Sequence, residues 1–107
     1  MSIQAEQQVL AIALNFNGSV VKLLGKLEPH DFADEYHQAL FKEMRRQFDA
    51  GLPFSVNFMP PELKTGDAAK YLADLIASLI SSSGLETYCT MLKDATAKRS
   101  LAATAKW

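Results

Sequence analysis

Apolar side chains recur along this chain at a helical period almost throughout, interrupted by short polar, glycine or proline stretches. Ser2 is a candidate cap for a first helix, in which Ile3, Val9, Leu10, Ala13 and Leu14 share a broad apolar face. The turn-forming stretch from Asn15 to Gly18 ends that helix, and Ser19 caps a short second one predicted to reach about Leu24 and break near Gly25. Pro29 opens a turn, after which Asp31 or Asp34 caps a longer helix running to about Asp49. On it His37, Leu40, Phe41, Met44 and Phe48 follow i, i+3, i+4, i+7, i+11 spacing, and Gly51 suits the C-terminal cap. Pro53, Pro60 and Pro61 then predict extended chain between Leu52 and Lys64, with one helical turn after Pro60.

Asp67 is placed to cap a further helix whose apolar side carries Tyr71, Leu72, Leu75, Ile76, Leu79 and Ile80. Ser81-Ser82-Ser83-Gly84 ends it, and Ser83-x-x-Glu86 reads as a capping box that starts the last helix. From Leu85 to Trp107 that helix spans about 23 residues, or roughly 34 Å if unbroken. Its apolar positions (Leu85, Tyr88, Leu92, Ala95) thin out after Arg99, leaving Leu101, Ala102, Ala103, Ala105 and Trp107 without an evident partner in the chain. An all-α bundle follows.

Length narrows the picture to one domain: 107 residues bury roughly two-thirds of their unfolded surface, so neither metal nor disulfide is needed to hold the core. With 11 basic against 12 acidic residues, near-neutrality argues against a nucleic-acid surface covering the domain, although a local basic patch is compatible with it. Cys89 is the only cysteine, which excludes an intramolecular disulfide and suits a reducing compartment. The first residues, Met1-Ser2-Ile3-Gln4-Ala5-Glu6, lack the basic and apolar regions of a signal peptide, and no apolar run has membrane-spanning length. A soluble, cytoplasmic protein is expected. Asn17-Gly18-Ser19 matches a glycosylation sequon but reads more simply as a turn.

Candidate chemistry is sparse. His30, Asp34 and His37 stand at i, i+4 and i+7, a spacing that a continuous helix would bring to one face, and imidazoles with a carboxylate can hold zinc or iron. Pro29 and Asp31 start the helix too late for His30 to join, and His37 lies on the apolar stripe, where a packed, hydrogen-bonded histidine is the favoured reading. Cys89 sits more than a turn into its helix without a nearby base, which suits a packing role over a catalytic thiol. Glu6, Asp31, Glu43 and Asp49 show no paired arrangement beyond caps and solvated faces. The chain has no G-x-x-x-x-G-K-[ST] and no G-x-G-x-x-G loop, so no phosphate cradle is expected. Lys42, Arg45 and Arg46 cluster on one helix, and Lys93, Lys98, Arg99 and Lys106 along the last. The first group reads as a solvated face; the second is a better partner surface, because its helix also carries unexplained apolar residues. The reading from residues alone is therefore no catalytic, cofactor or metal site.

Spaced motifs carry a resemblance across essentially the whole chain. They are Ala5-Glu6-Gln7-x-Val9-Leu10, Leu27-x-Pro29-x-Asp31-Phe32, His37-x-x-Leu40-Phe41, Gly51-x-Pro53, Tyr71-Leu72-Ala73-x-Leu75, and Tyr88-Cys89 with Arg99 eleven positions after Tyr88. In this order the chain resembles the N-terminal domain of DnaB-type replicative DNA helicases of bacteria and phages. The resemblance implies a compact orthogonal bundle of about five to six helices, with a head over about residues 1–80 and the first arm of a helical hairpin over about 85–107. It implies a family core of Val9, Leu10, Phe32, His37, Phe41, Tyr71, Leu72 and Tyr88. It also implies a surface for self-association or partners at Leu92, Lys93, Ala95, Arg99, Leu101, Ala102 and Trp107.

In that family such domains pair through their hairpins into a collar above a hexameric motor, where primase docks through its C-terminal domain and some loaders bind. The expected function is thus assembly and docking during DNA replication. The domain itself would carry no cofactor; ATP and Mg would belong to a motor domain downstream, and direct nucleic-acid or membrane binding is not expected. The chain ends at Trp107 inside what should be the first arm, so a piece of a longer helicase is expected, with a free-standing helical adaptor of replication proteins as the alternative. A small helical metal hydrolase is the weaker rival. One departure concerns Phe54-Ser55-Val56-Asn57-Phe58-Met59-Pro60-Pro61, which lacks the Asp and Thr usual in relatives, so local capping should differ there. The loops before Tyr71 and Tyr88 are also short.

Overall fold

A helix wrapped by the others on nearly every side organises the molecule. The computed structural model describes residues 3–16, 18–78 and 84–104, with side chains as far as Arg99. Among them are five α-helices and no strand: α1 (Ile3–Asn15), α2 (Gly18–Lys26), α3 (Glu35–Asp49), α4 (Asp67–Ala77) and α5 (Leu85–Thr104). The expected all-α bundle is what forms. Ala5, Glu6 and Gln8 through Ala13 are all buried in α1, the pattern of a helix with neighbours on every side. The helices α2, α3, α4 and α5 all pack on it.

The first turn after α2 is a 3₁₀ turn at Pro29–Asp31. Here Glu28 donates its N–H to Asp31 Oδ2 at 2.8 Å. Asp34, not Asp31, then caps α3, accepting from the N–H groups of Tyr36 (2.9 Å) and His37 (3.1 Å). At the other end Gly51, at φ 77°, closes a Schellman motif: Gly51 N–H bonds to Phe48 C=O and Leu52 N–H to Gln47 C=O, both at 2.9 Å. A side chain there would strain the left-handed backbone.

Several sequence expectations are corrected. Helix α2 starts at Gly18 and continues through Gly25 to Lys26; Gly25 has no positive φ and therefore does not break it. Gly66, at φ 63°, holds the cap position of α4, and Asp67 is the first helical residue, where its charge still favours the helix N-terminus. Phe48 is not on the buried stripe of α3 but 48% exposed, while Gln47 is fully buried. The reason is polar: the Gln47 amide donates to Ser55 C=O at 3.1 Å and accepts Ser55 N–H at 2.8 Å, pinning the following loop to the helix. Ile76 is likewise partly exposed. The expected Ser2 cap, the Ser83–Glu86 capping box, and Leu79 and Ile80 involve residues outside those described.

Between α3 and α4 the chain is held by two buried anchors, Phe54 and Met59, around 3₁₀ turns at Val56–Phe58 and Pro61–Leu63. The turn after Pro60 is as expected; the one at Val56 was not. Ser55 caps the Val56–Phe58 turn, its hydroxyl accepting Asn57 N–H at 3.2 Å.

Candidate interaction surface and the polar clusters behind it

Three carboxylates expected on caps or solvated faces are instead buried, and two of them, Glu6 and Asp31, tie elements together. Glu6 of α1, fully buried, accepts from Ala33 N–H at 3.0 Å and faces His37 Nδ1 at 2.9 Å. Because a carboxylate only accepts, Nδ1 carries the proton. His37 Nε2 lies 2.6 Å from the Tyr71 hydroxyl, whose oxygen also receives the Gln7 amide at 3.2 Å. With a neutral imidazole, Nε2 accepts the Tyr71 O–H. The chain of hydrogen bonds thus joins α1, α3 and α4. Phe32 and Phe41 pack against each other with ring centroids 5.3 Å apart, Phe32 lies edge-on to His37, and the Tyr71 ring stacks on His37 at 5.7 Å.

Asp31, fully buried in the 3₁₀ turn, is the second centre. Its Oδ2 takes the Glu28 N–H and the Lys93 ammonium at 2.8 Å, and its Oδ1 takes the Thr96 hydroxyl at 2.7 Å. Burial pushes this carboxyl up, but Lys93, Thr96 and the Glu28 N–H together outweigh burial and hold it below its ordinary value. One turn further, Arg99 donates to His30 C=O at 3.0 Å. Glu43 is the third, paired with Arg46 and hydrogen-bonded to Gln47 at 2.8 Å. The Arg46 guanidinium is the main cause that keeps its carboxyl below the usual range, against the opposing pull of burial.

These contacts decide the candidate chemistry. Both ring nitrogens of His37 are engaged with Glu6 and Tyr71, Asp34 caps α3, and His30 is exposed on the preceding turn, so the three do not converge. No group of three metal-ligating side chains forms among the described residues. Burial raises the Cys89 thiol above its ordinary value, which makes it a packing residue rather than a nucleophile.

Of the residues expected in the family core, Val9, Leu10, Phe32, His37, Phe41 and Leu72 are buried, and Tyr71 and Tyr88 are half-buried against the core. The expected partner surface needs correction. Leu92 is fully buried in the chain's own core, because α5 turns that face onto the head. Lys93 and Arg99 are exposed in part but spend their donors on Asp31 and on His30 C=O. Ala95 is half-buried. Leu101, Ala102 and Trp107 lie outside the side chains described. Of the basic cluster on α3, Arg45 lies over the Phe41 ring and donates to Leu24 and Leu27 C=O, and Arg46 pairs with Glu43, leaving Lys42 exposed.

Some large apolar side chains also face solvent. Met91 of α5 is 46% exposed. A shallow groove between the start of α2 and the end of α3 is lined by Val20, Val21, Phe48, Leu52, Pro53 and Phe54. Val21, Phe48 and Leu52 each show 40% or more of their surface. Sequence reading missed this groove. Its only signal was the pair Val20-Val21, of which a helix can bury one, and the Phe48-x-x-x-Leu52 spacing that runs past a glycine turn.

Among the described residues, Arg45 Nε is buried without a hydrogen-bond partner, and apolar side chains such as Val21, Phe48 and Met91 stay open to solvent. Residues 1–94 match the family described as DnaB-like helicase N terminal domain, and the chain belongs to it. The same fold is seen in the crystal structure of the N-terminal domain of DnaB helicase from Mycobacterium tuberculosis. The two superpose with a TM-score of 0.81 at 23% identity, over 95% of this chain and 78% of that one. No curated protein matches the chain. No helix among the described residues is long and apolar enough to cross a membrane.

Proposed function

We propose that this domain is the assembly and docking head of a replicative helicase, pairing subunits within the collar of a hexamer and receiving primase or a helicase loader. The observation that carries this reading is membership of the helicase N-terminal family over residues 1–94. It is supported by the exposed Met91 on α5 and the open groove at Val21, Phe48 and Leu52, apolar area of the kind that partners cover. The parent chain would be an ATP-dependent DNA helicase in the cytoplasm, with ATP and Mg bound by its motor and none by this head.

Solution mass measured over a concentration series, alone and with the C-terminal domain of a primase, tests the reading. Concentration-dependent dimers or a stoichiometric primase complex is the expected result. A strict monomer that ignores both primase and loader at high micromolar concentration would overturn it.

A further inference from the structure

We propose that the Glu28–Asp31 turn is a latch for α5. The helix is held in two parts: an apolar part through Leu92 that stays on the head, and a polar part from Lys93 that can be released alone.

The division is visible in what each part buries. Leu85, Cys89 and Leu92 are the buried side chains of α5. After Leu92 none of the described side chains is buried; Ala95 and Thr96 are intermediate, and Ala97, Lys98 and Arg99 are exposed. Yet this second part stays against the head, because three of its side chains reach a single short turn. Lys93 and Thr96 converge on Asp31, and Arg99 reaches the carbonyl of His30. At i, i+3 and i+6 they form one stripe along the helix.

Such contacts differ in kind from the apolar ones. Asp31 itself is sealed, but Lys93 is 46% exposed on its side chain, so the pair is open to water and salt from one side. Hydrophobic anchoring needs large areas and fails cooperatively, whereas a polar stripe opens by breaking a few bonds whose partners water can replace. The Lys26–Glu86 pair, on the first part of α5, is 3.6 Å apart and solvated on both sides, and contributes little to either. The consequence is a hinge at about Leu92–Lys93: the direction in which α5 leaves the head is set by the latch. This holds whatever α5 pairs with, so it stands apart from the proposed function.

Amide exchange followed residue by residue by NMR on the 107-residue chain tests the latch in the wild type, Asp31→Asn, Lys93→Met and Arg99→Gln. Local opening predicts that Asp31→Asn speeds exchange at residues 97–100 by about tenfold, and Lys93→Met by about threefold, while residues 89–92 change less than about twofold. Raised salt should move the wild type in the same direction. Unchanged exchange at 97–100 in the variants overturns the proposal, as does an equal acceleration across all of α5, which would mean the helix leaves as one piece. Should Asp31→Asn fail to fold, Lys93→Met and Arg99→Gln, which alter exposed partners alone, carry the same two outcomes.

Discussion

Two buried carboxylates lie within one short stretch of space but serve opposite purposes. Glu6 is fully buried against His37, itself fully buried, and also accepts Ala33 N–H and Asp34 N–H, with the Phe32 ring edge-on to the histidine. Asp31 is equally buried, but its partners Lys93 and Thr96 come from a helix whose far side meets water. The first cluster locks α1, α3 and α4 into one body. The second fastens α5 to that body with bonds that solvent can compete for. A buried charge is therefore not one kind of structural statement: what matters is whether removing it leaves donors that water can reach.

The comparison can be broken most forcefully at the sealed cluster. Glu6→Ala leaves the buried His37 Nδ1 without its partner, and the Ala33 and Asp34 N–H groups without theirs at the edge of the core, and should lower stability by roughly 3 kcal/mol. A urea titration that moves by less than about 1 kcal/mol would refute the sealed assignment. Phe41→Ala empties volume beside Phe32 and should cost about 3–5 kcal/mol, read as a fall in the thermal midpoint. An unchanged melting curve would mean that Phe41 is not the centre of the core.

At the open cluster the expected effects are smaller. Lys93→Met keeps the packing of the stem and removes one half-exposed partner, for a stability loss of about 1 kcal/mol or less that shrinks further in high salt. A loss as large as that of Glu6→Ala would erase the distinction. pH sharpens it independently. The carboxyls of Asp31 and Glu43 are held below their ordinary values in the folded state, so the unfolded chain binds protons more readily. Their contribution is complete above the ordinary carboxylate range of about 4 and is lost as pH falls through the lower folded values. The difference between wild type and Lys93→Met should then narrow in acid. A difference that persists undiminished at the lowest pH would argue against the ion pair.

The smallest effect on stability, and the most informative for binding, should come from the groove. Phe48→Ser and Leu52→Ser alter exposed positions and should change stability by no more than about 0.5 kcal/mol. If the groove receives a partner, the same variants should weaken self-association or primase binding in sedimentation by tenfold or more. Wild-type association by both would remove the groove from the binding surface.

Much of this protein was settled by local sequence. The helical period, the Asp34 cap and the Gly51 turn rest on interactions between residues a few positions apart. Tertiary structure decided which face of each helix mattered. Periodicity put Phe48 in the core, but the Gln47 amide meeting Ser55 rotated the choice by one residue. The family resemblance put Leu92 and Lys93 at a partner surface, but the head buries Leu92, and Lys93 pairs with Asp31, which lies across the fold on a turn 62 residues earlier in the chain (93 minus 31). The sequence reading left Glu6 and Asp31 on caps or solvated faces, because nothing local shows which donors will converge on them. Short-range hydrogen bonds and periods are written along the chain; the partners of a buried charge exist only once distant segments have come together.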